Sequence, residues 1–338
     1  MSKGQPKRPT PAFTDIDFAK NCRQIGFVMF PHSPHDDAWG VTRVPIAVIA
    51  NGAGPTVIIE GGNHGDEYEG PIVIGDLARD LDPGRLQGRL ILMPAVNTPA
   101  VTASRRTSPI DGLNFNRTFP GDPAGALTQQ ISAYVADYIL PMGDAFLDLH
   151  SGGSSLDFIP SAVIEPTEDE PLAKRNATAA LAFDAPVTVV VPNLGDQRIA
   201  TATACRAGLV TVGTELAGGG RVSSEALNIC RRGVRNVLVH LGVLDGEPQA
   251  ERRSDKTILV LRGTAAYVYA PSQGILETFH PPGAKVSAGE PGGQNHRVWE
   301  PGHAPETISY NCDGILLARR QPGRVNPGNC CLVVASPV

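Results

Sequence analysis

Apolar runs of strand length alternate with segments of helical period between residues 44 and 244. Strands are predicted over residues 44–50, 56–62, 89–96, 145–150, 187–192 and 209–216, and helices over residues 70–81, 129–140 and 223–242. This alternation of strands and helices indicates a parallel or mixed sheet with helices on its faces. The predicted fold class is therefore α/β.

The pattern changes after a charged stretch, residues 246–256, that has no apolar period. From residue 257 onward, short β-rich segments are punctuated by Gly and Pro. A chain of 338 residues exceeds a comfortable single core. We therefore predict two domains, residues 1–245 and 246–338, the second of them β-rich and similar to a small biotinyl-type β-barrel. No lysine occupies the hairpin position that carrier modules modify, so a lid or an assembly surface is favoured over a swinging arm.

His64 and Glu67 follow the predicted strand 56–62 in an H-x-x-E arrangement, within the segment GGNHGDEYEGP. His150 ends a second apolar strand and is also followed by small residues. In open α/β sheets the carboxyl ends of the strands meet at the edge where ligands bind. Two imidazoles and one carboxylate form the three-ligand set that a catalytic zinc uses, with the fourth position left open. We predict a zinc site, although Co²⁺ and Mn²⁺ accept the same ligands.

A histidine at a strand end is often only hydrogen-bonded to the backbone, so the context of the others matters. Five histidines lie among Pro, Gly, Asp or Asn and are predicted to be loop residues. A sixth, His240, is predicted to occupy a helix or core position. These five are His32, His35, His280, His296 and His303. Of the eight, His64 and His150 alone follow apolar strands into glycine-rich turns.

Glu215 is the candidate general base, because it also follows an apolar strand and precedes a glycine run. Partial burial there would raise its pKa towards neutrality, as proton transfer requires. The alternative is an exposed loop glutamate. Asp66 is expected to orient the metal loop, Glu69 to begin the next helix, and Asp148 to accept a hydrogen bond from a ligand imidazole.

The segment 105–121 is rich in Gly, Pro, Asn and Asp, yet it is long and carries three arginines, which is typical of a functional loop. A guanidinium binds a carboxylate through two parallel hydrogen bonds. Arg117, beside Asn116, is a candidate for binding a substrate carboxylate, and Arg106 for polarising a scissile carbonyl. The alternative is that these arginines are solvated surface charges.

Charge and apolar length exclude other classes of function. The formal net charge of −5 and the scattered basic residues indicate no nucleic-acid partner. No apolar window is long enough for a membrane span, and the N-terminus lacks the apolar region of a signal peptide, so a cytoplasmic enzyme is expected. Homo-oligomerisation is left open. The cysteines show no C-x-x-C spacing, are expected to stay reduced, and receive no role. They are Cys22, Cys205, Cys230, Cys312, Cys330 and Cys331.

This chain combines four motifs: H-x-x-E at His64 and Glu67, D-L-H ending at His150, N-R at Asn116 and Arg117, and T-E-L around Glu215. Together they resemble the succinylglutamate desuccinylase/aspartoacylase family, which has a zinc carboxypeptidase-like fold. The resemblance implies Zn²⁺ bound by His64, Glu67 and His150, with Glu215 as base and later acid. It also implies a carboxylate site at Asn116 and Arg117. Arg106 departs from the family pattern, because the segment SPIDGLNF lengthens the gap to the N-R pair. Some members add a tyrosine from the C-terminal part, for which Tyr267, Tyr269 and Tyr310 are the candidates.

Within that family, GGNHGDEYEGP, NRTFPG, DLHSGG and TELAGGG resemble the deacetylases of ectoine degradation. This implies removal of an acetyl group from the alpha nitrogen of a small N-acetyl amino acid, giving acetate and 2,4-diaminobutyrate. Two alternatives remain open at this point. One is another N-acyl-amino-acid deacylase or a carboxypeptidase on the same scaffold, and the other is a non-catalytic protein that binds zinc or a small ligand.

Overall fold

The computed structural model describes residues 7–249 and 258–338. The first part contains the strands β1 (Phe13–Thr14), β2 (Arg23–Pro31), β3 (Val41–Asn51), β4 (Thr56–Gly61), β5 (Gly88–Met93), β6 (Ala145–His150), β7 (Leu156–Phe158), β8 (Ser161–Ile164), β9 (Val187–Val190) and β10 (Val210–Glu215). The helices are α1 (Glu69–Asp80), α2 (Thr98–Thr102), α3 (Leu127–Tyr134), α4 (Glu170–Phe183), α5 (Ala200–Arg206) and α6 (Ser224–His240). The second part contains β11 (Ile258–Val260), β12 (Tyr267–Tyr269), β13 (Gly274–Thr278), β14 (Lys285–Val286), β15 (Pro291–His296), β16 (Glu306–Ser309), β17 (Gly314–Arg320), β18 (Arg324–Val325) and β19 (Cys330–Pro337).

The main sheet is mixed, and its centre is parallel. Its central strands run in the order β5, β4, β6, β10, each parallel to its neighbour. Antiparallel strands β3 and β2 extend one side, and β8, which is antiparallel to β10, begins the other. Because β4, β6 and β10 are parallel neighbours, their carboxyl ends open onto one edge. The prediction of a mixed sheet flanked by helices is confirmed.

Both faces of the sheet are buried, as a parallel sheet requires. Successive residues of β4 show this, since Val57 and Ile59 join one apolar cluster and Ile58 joins the other. Helices α1, α4 and α6 cover the first face, and α3 and α5 cover the second. The sheet is thereby fixed from both sides, and the loops at its carboxyl edge stand on a rigid base.

The C-terminal part is β-rich, as predicted, and its strands pair with one another in antiparallel fashion. One layer contains β12, β19, β17 and β14, and a second sheet has the order β16, β15, β13, β18. Two strands join this part to the main sheet, since β11 pairs with β9 and β7 pairs with β17. Most of the predicted boundary segment, residues 250–256, lies outside the described residues. The division into two domains stays a prediction.

Predicted helices 70–81 and 223–242 correspond to α1 and α6. The predicted helix 129–140 is α-helical only as far as Tyr134, after which the chain makes a π-helical turn over Val135–Ile139. Helix α4 was not predicted, because three of its five buried positions are Asn176, Ala179 and Ala180, which contrast weakly with the exposed ones. Its start is nevertheless well defined, since the Asp169 side chain accepts a hydrogen bond from Leu172 N. No helix in the described ranges is both long enough and apolar enough to cross a bilayer.

Candidate metal and active site

Three sequence-predicted residues meet at the carboxyl edge of the central strands. His150 is the last residue of β6, and Glu215 is the last residue of the adjacent parallel strand β10. The two are direct partners in the ladder. His64 lies three residues beyond the end of β4, the other neighbour of β6. The parallel register therefore brings together side chains that are far apart in sequence.

Gly65 allows the loop after β4 to pack closely against helix α2. A Cβ atom at position 65 would lie 1.9 Å from the carbonyl oxygen of Ala100, so no other residue fits without backbone movement. The loop is tied further by Gly65 N, which donates to the carbonyl oxygen of Arg105 at 2.8 Å. Asp66, predicted to orient this loop, accepts hydrogen bonds at 2.7 Å from both Ser154 N and Ser154 Oγ. These contacts fix His64 and Glu67 relative to the loop that follows β6.

His64, Glu67 and His150 form a group whose ligand atoms all lie within 4.8 Å of one another. His64 Nδ1 is 2.7 Å from Oε1 of Glu67, and His150 Nδ1 is 2.8 Å from Oε2 of the same carboxylate. All three side chains are nearly inaccessible to solvent. Two imidazole nitrogens and a carboxylate that converge in this way can hold a divalent metal ion.

The remote nitrogen of each imidazole has its own acceptor. His64 Nε2 is 3.1 Å from Oδ1 of Asn114, and His150 Nε2 is 2.9 Å from Oδ2 of Asp148. An acceptor at Nε2 favours the tautomer that carries its proton there and leaves the Nδ1 lone pair facing the ligand group. Asp148 makes the contact with an imidazole that was expected of it, whereas Asn114 was not anticipated from the sequence. Its position two residues before Asn116, in the same loop, was the available signal.

Burial and charge favour a cation at this point. Burial would raise the pKa of Glu67, but the two adjacent imidazoles outweigh it and hold that pKa well below its usual range. Burial lowers the pKa of His64, which leaves that ring neutral and able to act as a ligand. Burial also opposes protonation of His150, yet the carboxylates of Asp148 and Glu67 raise its pKa well above the ordinary value. The ionised Glu67 carboxylate therefore attracts a positive charge, and a bound metal ion would supply that charge.

Glu215 lies beside His64, Glu67 and His150, and the carboxyl end of its side chain is not exposed. Its Oε2 atom is buried and has no hydrogen-bond partner within residues 7–249 and 258–338. Burial, followed by repulsion from Glu67, raises the pKa of Glu215 to about 8. A carboxyl group with a pKa near neutrality can both accept and return a proton. The expectation of partial burial is met, and the alternative of an exposed loop glutamate is not.

The three loop residues predicted to bind substrate also face the cavity. Arg106 Nη1 lies 3.4 Å from His64 Nδ1 and 3.7 Å from Oε1 of Glu67. Arg117 is half-buried, and its Nε is 3.2 Å from Oδ2 of Asp196. Burial lowers the pKa of Arg117, and the Asp196 carboxylate opposes that shift. Arg106 therefore lies beside the group formed by His64, Glu67 and His150, whereas Arg117 lies farther from this metal group and is paired with Asp196.

The Asn116 amide connects the substrate loop to two other elements. Its Oδ1 accepts a hydrogen bond from Ala200 N at the start of α5, and its Nδ2 lies 3.3 Å from His150 Nε2. The Arg117 Nη1 group donates to the carbonyl oxygen of Asn116 at 2.5 Å. The N-R pair is thus held in place by the protein itself.

All seven predicted site residues line one cavity of ≈ 320 Å³. They are His64, Glu67, Arg106, Asn116, Arg117, His150 and Glu215. The C-terminal part adds Arg320 and Cys330 to the wall. None of the three candidate tyrosines lines this cavity within the described residues. Tyr310 is instead buried with its hydroxyl 3.0 Å from His280 Nδ1, and Tyr269 is exposed.

The fold and the site can be compared with known proteins. The family pattern described as the succinylglutamate desuccinylase/aspartoacylase catalytic domain matches residues 53–241, which is more than half of the chain and includes every predicted site residue. The chain belongs to this family. Its members include deacetylases, desuccinylases and aspartoacylases, all of them hydrolases of linear amides, and the chain is an amide hydrolase of the same kind.

Full-length relatives in this family are also similar in sequence and structure. The chain is 40% identical over 340 aligned positions to N-alpha-acetyl-L-2,4-diaminobutyric acid deacetylase of Halomonas elongata, and the alignment covers 100% of this chain and 99% of the relative. A succinylglutamate desuccinylase/aspartoacylase structure from Rhodobacter sphaeroides is 42% identical, with a TM-score of 0.93 over 97% of this chain and 100% of that one. The product-bound ectoine utilization protein EutE (DoeB) of Ruegeria pomeroyi is 37% identical, with the same TM-score and coverage.

Proposed function

We propose that this protein is a zinc-dependent deacetylase that converts N-alpha-acetyl-L-2,4-diaminobutyrate and water to acetate and L-2,4-diaminobutyrate, as a cytoplasmic step of ectoine degradation. The observation that carries the proposal is the convergence of His64, Glu67, His150 and Glu215 at one sheet edge. The substrate assignment draws on the full-length similarity to the Halomonas elongata deacetylase and to the ectoine utilization protein.

His64, Glu67 and His150 would hold the zinc ion. The donor set supports this assignment, because two imidazoles and one carboxylate form a three-ligand set that is common for catalytic zinc. The hydrogen bonds from the remote imidazole nitrogens to Asn114 and Asp148 support it as well. When bound, zinc supplies Lewis-acid activation of water and of an acyl carbonyl.

Glu215 would act first as base and then as acid. As base, its carboxylate removes a proton from the water whose oxygen attacks the acetyl carbon. As acid, it returns that proton to the alpha nitrogen when the C–N bond breaks, so the amine departs neutral and the acyl group leaves as acetic acid. The carboxyl proton of acetic acid then passes to the amine, which gives acetate and the ammonium form of L-2,4-diaminobutyrate. The buried Oε2 atom and the raised pKa of Glu215 suit a group that alternates between the two protonation states.

Arg106 and the N-R pair would position the amide. Arg106 lies beside the metal group, where its charge would stabilise the oxyanion that develops on the acetyl oxygen. Arg117 would bind the alpha-carboxylate, with Asn116 fixing its orientation. Because Nε of Arg117 faces Asp196 and its Nη1 donates to the carbonyl oxygen of Asn116, Nη2 is the nitrogen left for the substrate.

A panel of substrates tests the proposal. Acetate release is measured for N-alpha-acetyl-L-2,4-diaminobutyrate, for its N-gamma-acetyl isomer, for other N-acetyl amino acids and for short peptides. Preferential release from the alpha isomer is expected. Preference for another acyl amino acid would keep the deacylase chemistry and reject this substrate, whereas cleavage of C-terminal peptide bonds would indicate a carboxypeptidase.

A further inference from the structure

Arg320 reaches the catalytic cavity from the C-terminal part of the chain. It is the last residue of β17, which pairs antiparallel with β7 so that Arg320 lies opposite Leu156. Directly paired residues of two antiparallel strands point to the same side of a sheet. Leu156 lines the cavity, and so does Arg320. The strand pairing therefore directs this guanidinium into a site whose other charged residues come from the catalytic part.

The charge balance of the cavity distinguishes Arg320 from the other two arginines there. Arg106 lies 3.7 Å from the Glu67 carboxylate, and Arg117 lies 3.2 Å from that of Asp196. Arg320 forms no ion pair with any carboxylate among residues 7–249 and 258–338, and its Nε donates to the carbonyl oxygen of Arg324 at 3.3 Å. Its terminal nitrogens are left as donors at the wall of a partly enclosed cavity. A guanidinium in that position matches an anionic group on a ligand.

We infer that Arg320 binds the alpha-carboxylate of the N-acyl amino acid alongside Arg117, so that the β-rich C-terminal part supplies a substrate contact. This inference rests on the proposed function, in which the substrate carries one carboxylate. Arg117 cannot satisfy that carboxylate through its Nε edge, because Asp196 occupies it, and its Nη1 already donates to Asn116. A second guanidinium supplies the missing donors. The contact is present equally in ground state and transition state, so it acts on KM more than on kcat.

The adjacent residue provides a matched control. Arg319 lies opposite Asp157 in the same strand pair and so points to the other side of the sheet. Its Nη2 is 3.7 Å from Oδ2 of Asp157, and its Nη1 donates to the carbonyl oxygen of His280 at 3.5 Å. Arg319→Gln removes the same charge from the same strand without changing the cavity wall.

The test compares acid and amide forms of one substrate in the zinc-loaded full chain. For Arg320→Gln we expect KM for N-alpha-acetyl-L-2,4-diaminobutyrate to rise by about 10–100-fold, the usual effect of losing a hydrogen bond between charged groups, with kcat changed less than about 3-fold. The wild-type preference for this acid over its carboxamide should fall by the same factor. Arg320→Lys, which keeps the charge but not the planar fork, should give an intermediate value, and Arg319→Gln should match wild type.

Equal acid-to-amide preference in wild type and Arg320→Gln would overturn the inference, and so would an equal loss in Arg319→Gln. If neither diaminobutyrate derivative is hydrolysed, the proposed function fails and the inference is decided by binding. Calorimetric titration then uses N-acetylglycine and N-acetylglycinamide, which share the acyl amino acid backbone but differ in the carboxylate. An acid preference of wild type that Arg320→Gln loses supports the contact. No such preference, or one that the variant retains, rejects it.

Discussion

Glu215 and His150 are directly paired at the carboxyl ends of the neighbouring parallel strands β10 and β6. One strand thus delivers the candidate base, and the other delivers a candidate metal ligand. Their relative position is set by backbone hydrogen bonds in the centre of a sheet that is buried on both faces. A site built in this way keeps its geometry when side chains are exchanged, so single substitutions can report on chemistry rather than on folding.

Glu215→Gln should abolish most of the activity and leave the metal site filled. Glutamine retains the shape of the side chain but cannot take a proton from water, so kcat should fall by about 10²–10⁴-fold. Zinc content per chain should match wild type. Glu225→Gln is the matched control, because Glu225 is an exposed residue in the first turn of α6. A kcat within a few-fold of wild type would reject Glu215 as the base.

Asn114→Ala should weaken zinc binding. The substitution removes the acceptor 3.1 Å from His64 Nε2, so the imidazole loses the contact that fixes its tautomer and orientation. Loss of such a partner typically lowers metal affinity by about 10–100-fold. Competition with a chromophoric chelator measures the affinity, with the exposed Asn21→Ala as control. Unchanged affinity in Asn114→Ala would show that the His64 ring is held by other contacts.

Gly65→Ala and Gly75→Ala should have opposite effects on stability. At position 65 the new methyl group would lie 1.9 Å from the Ala100 carbonyl oxygen, and the required backbone shift should lower the free energy of unfolding by about 1–3 kcal/mol. At position 75, within α1, a Cβ meets nothing within 4 Å, so alanine should add about 0.5–1 kcal/mol through helix propensity. Urea denaturation measures both. A neutral Gly65→Ala variant would contradict the close packing of the metal loop on α2.

Ionisation of the buried Glu165 carboxyl group should lower the free energy of unfolding as pH rises. It is buried immediately after the end of β8, accepts a hydrogen bond from Thr201 Oγ1 at 2.9 Å, and has a pKa that burial raises to about 7. Between the unfolded value near 4.5 and the folded value, the folded chain holds a proton that the unfolded chain has lost. The contribution of this group to the free energy of unfolding therefore decreases over that pH range, by about 3 kcal/mol in all.

Glu165→Gln should remove that part of the pH dependence. Urea denaturation at pH 5 and pH 8 compares the variant with wild type and with Glu168→Gln, in which the substituted residue is exposed. We expect Glu165→Gln to lose less stability between the two pH values than the other two proteins. Three parallel pH profiles would mean that Glu165 keeps an ordinary pKa in the folded state.

The convergence of four candidate site residues could be predicted from sequence, because each of them has a local signature. His64, Glu67, His150 and Glu215 all follow apolar strands into turns of small residues, and parallel strands end at one edge. Asn114 could not be assigned in the same way, because it lies in an irregular loop whose path decides which atoms it meets. Arg320 depends on the pairing of β17 with β7, a contact between strands that are distant in sequence. Residues that act through long-range pairing leave no local pattern.

The central claim is that a metal ion held by His64, Glu67 and His150 is required for acetyl hydrolysis. The most direct test measures acetate release from N-alpha-acetyl-L-2,4-diaminobutyrate by the purified protein, then after chelation and then after zinc is restored. We predict release that chelation stops and zinc restores in wild type but not in Glu67→Gln. Release that persists in protein shown to be free of metal would contradict the account.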